Sequence, residues 1–266
     1  MFGRRPDATL AQGIPPIRRF MPFISPRRND SLVYFSQDID VEAALAFVER
    51  ANEGRPAERP VTLFHLLLRA ITVVLHERPR LNRFVAGGRI WQRDGIWLSF
   101  SAKVKFDDDA PLITVKRRFD PADDLFTMVE RLHESLAQGR GGKKTAADHE
   151  MGLMLRLPPL LARGIMRMVM ALDGAGLLPR AMLDPDPMHA SAFLANLGSV
   201  GLDAGYHHLW EFGNIPVFCV MGRIRGDEGS RRVTLKWTYD ERVEDGLYCA
   251  RSLERVRELL AKPEAL

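Results

Sequence analysis

The run TLFHLLLRAITVVLHE, Thr62 to Glu77, constrains the fold more than any other part of the chain. Thr62 is a good helix cap and Pro79 breaks the chain just beyond, which brackets a single helix between them. Its apolar residues cover nearly every side, so the helix is predicted to be buried. Strand-like and helix-like segments alternate around it. Residues 31–37 (SLVYFSQ) read as a strand, and VEAALAFVERAN after Asp40 carries apolar residues at helical spacing and stops at Gly54. Segments 89–93, 96–106 and 111–117 read as a meander turning at Gly95 and at Asp107-Asp108-Asp109. Residues 123–138 then read as an amphipathic helix. Gly87-Gly88 is too short for a phosphate loop and fits a hairpin turn. SAFLAN, IPVFCVMG and VTLKWTY supply further strands, and residues 246–261 a last helix. This interleaving predicts an α+β domain, a mixed α/β two-layer sandwich, and excludes a helical bundle.

Composition narrows the function classes. A chain of 266 residues with 46% hydrophobic content can build a real core. Cys219 and Cys249 lie in apolar stretches without ligand spacing, so neither a disulfide framework nor a zinc site is expected. The reading is a soluble, cytoplasmic protein, since no signal-peptide core or spanning apolar run is visible. The net charge of +4 is concentrated early, at Arg4, Arg5, Arg18, Arg19, Arg27 and Arg28. Residues 1–29 therefore read as a basic, proline-containing arm, solvated and partly disordered, with no nucleic-acid motif beside it.

Residues 140–190 change character. A polar joint ending at Glu150 leads into a Met- and Leu-rich stretch split by Pro158 and Pro159 and closed by Gly174 and Gly176. We expect a helical insertion here, an extra layer over the sheet or a subunit contact. The sharper alternatives are a wall for an acyl chain, or a lipid-facing patch rimmed by Arg156, Arg163 and Arg167.

Several stretches fall in a telling order: Asp38-Ile39-Asp40-Val41, Arg78-Pro79-Arg80-Leu81-Asn82, Asn196-Leu197-Gly198, and Asp240-Glu241-Arg242-Val243-Glu244-Asp245-Gly246. Together they resemble the family of chloramphenicol acetyltransferase and the dihydrolipoyl acyltransferase catalytic domains. That family reads E-I-D-V, P-x-L-N, S-N-L-G and D-H-R-V-x-D-G at these places. The resemblance covers roughly residues 30–262. It implies a CoA-dependent acyltransferase-like fold with a mixed sheet, a homotrimer with active sites between subunits, and an acyl-CoA or acyl-carrier-protein thioester as substrate. No tightly bound cofactor is implied. In the family the motif histidine is the base, the serine of S-N-L-G meets the oxyanion, and the aspartate before the glycine holds local geometry through an arginine.

Here Glu241 stands at the histidine position and Ala195 at the serine position, while Asn196, Gly198, Asp245 and Gly246 match. A methyl group donates no hydrogen bond, and a glutamate base needs a strongly raised pKa. His207 or His208 is the alternative base, with Glu211 or Glu241 orienting its ring. Adjacent residues on an extended chain point to opposite sides, so at most one of the two faces a given cleft. The bland reading is packing beside Trp210. His207, His208 and Glu211 lack metal-ligand spacing, and His133, His149 and His189 have no evident partner. The resemblance thus leaves two readings: an acyltransferase with a non-standard site, or a catalytically silent trimer that serves as a scaffold or binds acyl thioesters.

Overall fold

The computed structural model describes residues 4–103, 112–139, 152 and 154–266. The turn at Asp107-Asp108-Asp109, His149 and most of the polar joint before Met151 lie outside them. A six-stranded mixed sheet forms the centre. Its order is β2 (Leu32–Asp40), β9 (Arg232–Asp240), β8 (Val217–Arg225), β7 (Ala192–Asn196), β5 (Ile96–Lys103) and β6 (Leu112–Phe119). The pairs β8–β7 and β7–β5 are parallel and the others antiparallel.

Alternation along the strands divides the sheet into two faces. Val233, Leu235, Trp237 and Tyr239 of β9 turn to one face and share a core with Val217, Cys219, Leu194 and Leu98. Helices α2 (Glu42–Asn52), α3 (Leu63–Glu77), α4 (Leu125–Gly139) and α7 (Gly246–Ala261) cover that face. Eleven of the fifteen residues of α3 are buried, as its all-round apolar sequence requires. Each large side chain so buried contributes about 1.5–3 kcal/mol. Thr62 caps α3 by accepting the His65 N–H, and His65 Nδ1 accepts the Thr62 N–H in return. Burial, with His133 and Arg55 nearby, pushes His65 down to about 4, so it stays the neutral acceptor this cap needs.

The expected meander is not one sheet. Strand β4 (Arg89–Arg93) pairs with β3 (Arg83–Ala86) and β1 (Ala8–Leu10) in a separate three-stranded sheet, whereas β5 pairs with β6 and β7. Gly95, at φ 75°, turns the chain out of one sheet into the other, and Asn82 Nδ2 holds its carbonyl at 2.8 Å. Gly87 and Gly88 form the β3–β4 hairpin turn, both at positive φ.

The N-terminal arm is not a solvated tail. The Arg5 guanidinium is sealed from solvent between Asp7 (2.9 Å) and Asp173 (2.6 Å), above the Phe84 and Trp91 rings. Arg28 is buried against Asp240. Buried arginines persist only with such partners, and Arg5 finds one 168 residues away, beyond the reach of any local charge pattern. Helix α1 (Pro16–Ile24) follows in the same arm.

The Met-rich stretch yields α5 (Pro159–Gly174) and the short α6 (Arg180–Leu183). Asp173 is the one buried residue of α5, so this helix is not a covered layer of the domain. Beyond it, Leu178 and Leu183 are buried and anchor the chain's return to β7.

Candidate active site

The connection from β7 to β8 folds back over the sheet face opposite the helices. Phe193 of β7 and Phe218 of β8 lie side by side there, their rings stacked at 4.9 Å. His207 lies on Phe218 with ring centroids 4.2 Å apart and planes within 11°, and Trp210 flanks it at 5.0 Å. The two histidines do not point apart. Their rings stack at 4.6 Å, because the chain here is irregular and His207 Nδ1 reaches back to the His208 carbonyl at 2.6 Å. A carbonyl only accepts, so Nδ1 carries the proton and Nε2 keeps its lone pair. Burial against the aromatic rings lowers the His207 pKa. The carbonyl contact opposes this shift, and His208 adds to it. His208 itself is exposed.

Ala195 packs into the same aromatic cluster near the end of β7. Asn196 accepts the Ser199 N–H and so caps the turn Leu197–Val200. Gly198 serves a close approach: a Cβ there would lie 2.5 Å from the Gly222 carbonyl oxygen. Two of the matched positions therefore have a direct structural task in shaping this end of the sheet.

The second motif begins at the end of β9. Asp240 accepts from Arg242 at 2.8 and 2.9 Å, and Arg28 Nε lies 3.7 Å away. Arg28 also donates to the carbonyls of Trp210 and Gly213, which ties the histidine loop to this carboxylate. Glu241 is half-buried, its N–H donating to the Ser31 carbonyl and its own carbonyl accepting from Arg18. Asp245 caps α7 by accepting the Tyr248 N–H at 2.8 Å, a bond that holds it below the usual carboxylate range, and Gly246 opens that helix. The arginine contact implied for Asp245 falls instead to Asp240 and to Glu244, which meets Arg80 and Arg83. Glu211 does not orient a histidine ring either, because its carboxylate accepts the N–H groups of Arg28 and Asn29.

Strand register separates the two motifs within one chain. Ala195 lies level with Val220 and Lys236 across the sheet, and Glu241 is five residues past Lys236. At about 3.3 Å per residue that is about 17 Å along the strands. The offset is shorter from His207, because Phe218, on which its ring stacks, lies level with Thr238, three residues before Glu241.

Sequence reasoning missed a second polar centre. His189 is buried with Nδ1 2.9 Å from Asp186, and Nε2 lies 3.7 Å from Asp173, an ion-pair distance and not a hydrogen bond. The carboxylate three residues upstream was the available signal. Burial opposes protonation, yet the two flanking carboxylates outweigh it and raise the His189 pKa. Because the folded state favours the proton, this contribution is complete below the ordinary imidazole pKa and is lost as pH rises through the raised value. We expect the thermal midpoint to fall above about pH 6.5 more steeply in the native chain than in His189→Gln. Parallel pH profiles of the two proteins would overturn the assignment.

Among the described residues no group of three or more His, Cys, Asp or Glu side chains is arranged to hold a metal ion, and no helix is long and apolar enough to cross a membrane. No protein-family model matches the chain, and no curated protein does. Solved structures do. Dihydrolipoamide acetyltransferase of Azotobacter vinelandii superposes with TM-score 0.61 at 17% identity, over 97% of this chain and 94% of that one. The truncated catalytic core of the 2-oxoacid dehydrogenase multienzyme complex from Thermoplasma acidophilum gives 0.60 at 13%, over 95% and 98%. A chloramphenicol acetyltransferase gives 0.59 at 13%, over 95% and 99%. This chain has the acetyltransferase fold. The matches cover almost the whole of both chains, which leaves no room for a separate second architecture. Arg28 links the His207 loop to the Asp240–Gly246 motif, through the Trp210 and Gly213 carbonyls on one side and Asp240 on the other.

Proposed function

We propose that this chain transfers an acyl group from a thioester of coenzyme A or an acyl-carrier protein to an alcohol, amine or thiol, with His207 as the base. The observation that carries the reading is the His207 ring itself. Burial on Phe218 favours its neutral form, Nδ1 is committed to the His208 carbonyl, and the ring lies on the sheet face where Ala195 packs. The acceptor X–H gives its proton to Nε2 as X attacks the thioester carbonyl. The tetrahedral oxyanion then collapses, the C–S bond breaks, and the departing sulfur takes the proton back from Nε2. Ala195 supplies no oxyanion donor, so this site lacks a contribution that a side-chain donor typically makes, worth about 10²–10³ in rate.

Glu241 and Asp245 take no part in this step: Asp245 caps a helix and the Glu241 backbone is held by Ser31 and Arg18. A homotrimer with sites between subunits is part of this reading, and light scattering at micromolar concentration tests it. The joint presence of Ala195 and Glu241 favours a second reading, a silent trimer that binds acyl thioesters or serves as a scaffold. Thiol release from a panel of acyl-CoAs and acyl-carrier proteins decides between them. Turnover of any thioester supports transfer, whereas binding without turnover supports the silent reading.

A further inference from the structure

Helix α1 is amphipathic in the reverse sense for a surface helix. Ile17, Phe20 and Ile24 recur at i, i+3 and i+7, with Phe23 beside them, and this apolar side is the one turned to water. Their exposures are 66%, 57%, 55% and 65% in that order, while Pro22 is the buried residue. Helix α5 repeats the pattern: Leu160, Leu161, Met168 and Met170 are exposed, Leu160 by 84%. Burying such side chains contributes about 1.5–3 kcal/mol each, so two helices that leave them bare need a partner surface.

Both helices abut one hairpin turn. A Cβ on Gly88 would touch the Phe23 ring at 3.4 Å, and one on Gly87 would lie 2.0 Å from the Gly174 carbonyl oxygen at the end of α5. A cavity lined by Arg89, Trp91, Met170 and Ala171 lies between the hairpin and α5.

Charge identifies the partner. The sequence has no acidic residue between Gln12 and Asn29, nor between Met151 and Leu172. Arg19, Arg89, Arg163 and Arg167 are exposed on or beside these elements and pair with no carboxylate among the described residues. Exposed phenylalanine, isoleucine and leucine edged by arginine match the two layers of a lipid interface, acyl boundary below and phosphate above. We infer that α1, the β3–β4 hairpin and α5 together form a docking surface for anionic membrane lipid. This inference stands apart from the acyl-transfer reading, because it uses none of that site's residues.

The test is flotation of the full chain with vesicles of phosphatidylcholine alone and of phosphatidylcholine mixed with phosphatidylglycerol. Binding to the mixed vesicles only, weakened by salt, is the expected result. Each arginine near an anionic surface is worth about a fivefold change in binding, so Arg163→Gln/Arg167→Gln should bind roughly 25-fold more weakly. Phe20→Ser/Phe23→Ser should abolish binding, with circular dichroism and the thermal midpoint confirming that both variants fold. Failure of the native chain to bind the anionic vesicles overturns the inference, as does equal binding to neutral ones. If, in addition, Phe20→Ser/Phe23→Ser lowers the oligomeric state, a second copy covers this face instead.

Discussion

His207→Ala is expected to lower acyl transfer by roughly 10²–10⁴-fold with little change in KM. The expectation rests on the fixed tautomer. His207 Nδ1 is occupied by the His208 carbonyl, so removing the ring removes the Nε2 lone pair that this tautomer leaves to accept a proton. His208→Ala should cost far less, because His208 is the exposed member of the stacked pair and its carbonyl survives the substitution. The pH profile gives an independent reading. A base acts deprotonated, and burial lowers the His207 pKa, so activity should hold its plateau to more acidic pH than an ordinary imidazole allows and fall only below about 6.5. Stopped-flow or steady-state thiol release across pH measures both. Full activity in His207→Ala would end its assignment as base, and a matching loss in Glu241→Gln would move the role to the motif position. Ala195→Ser on the native background should raise turnover if an oxyanion forms near the end of β7.

Much of the fold was legible because it depends on local periodicity. The all-round apolar helix, the Thr62 cap, the three C-terminal strands and the helix opening at Gly246 follow from spacing within a few residues, and all stand in the structure. What was not legible depends on distant partners. Strands β4 and β5 look like neighbours in sequence, yet Trp97 and Ser191 exchange backbone and side-chain bonds that commit β5 to β7. Arg5, read as part of a charged tail, is buried because Asp7 and Asp173 converge on it. The amphipathic pattern of α1 tells that one side is apolar and not that this side faces water. At the site, Gly198 and Asn196 match a motif, but their physical tasks, a close approach to Gly222 and a turn cap, depend on how the chain folds back after β7. The stacked histidines escape the rule of alternation because their segment is not a strand.

Asp240→Ala is expected to be strongly destabilising. Asp240 is 1% exposed and stands between two arginines almost as deeply buried, Arg242 at 2% and Arg28 at 5%. Removing the carboxylate leaves both guanidinium groups without their charge partner, and breaking such a buried cluster costs about 3–5 kcal/mol. At about 2–4 °C per kcal/mol for a chain near this size, the thermal midpoint should drop by on the order of 10 °C. Arg242 would lose two direct hydrogen bonds, and Arg28, whose pKa burial already pulls down, would lose the charge that opposes that pull. Arg28 in turn holds the Trp210 and Gly213 carbonyls, and Glu211 of the same loop is seated on the backbone of Arg28 and Asn29. Asp240→Ala should therefore also loosen the loop that carries His207, and faster hydrogen exchange across residues 206–214 would report it. Arg28→Met should loosen the same loop, but with a smaller drop in midpoint because one buried charge leaves with its partner's surplus. In a double-mutant cycle, Asp240→Ala combined with Arg28→Met should lose less than the two single changes added together. Strict additivity, or a midpoint for Asp240→Ala close to that of the native chain, would show that this cluster does not bind the histidine loop to the central sheet.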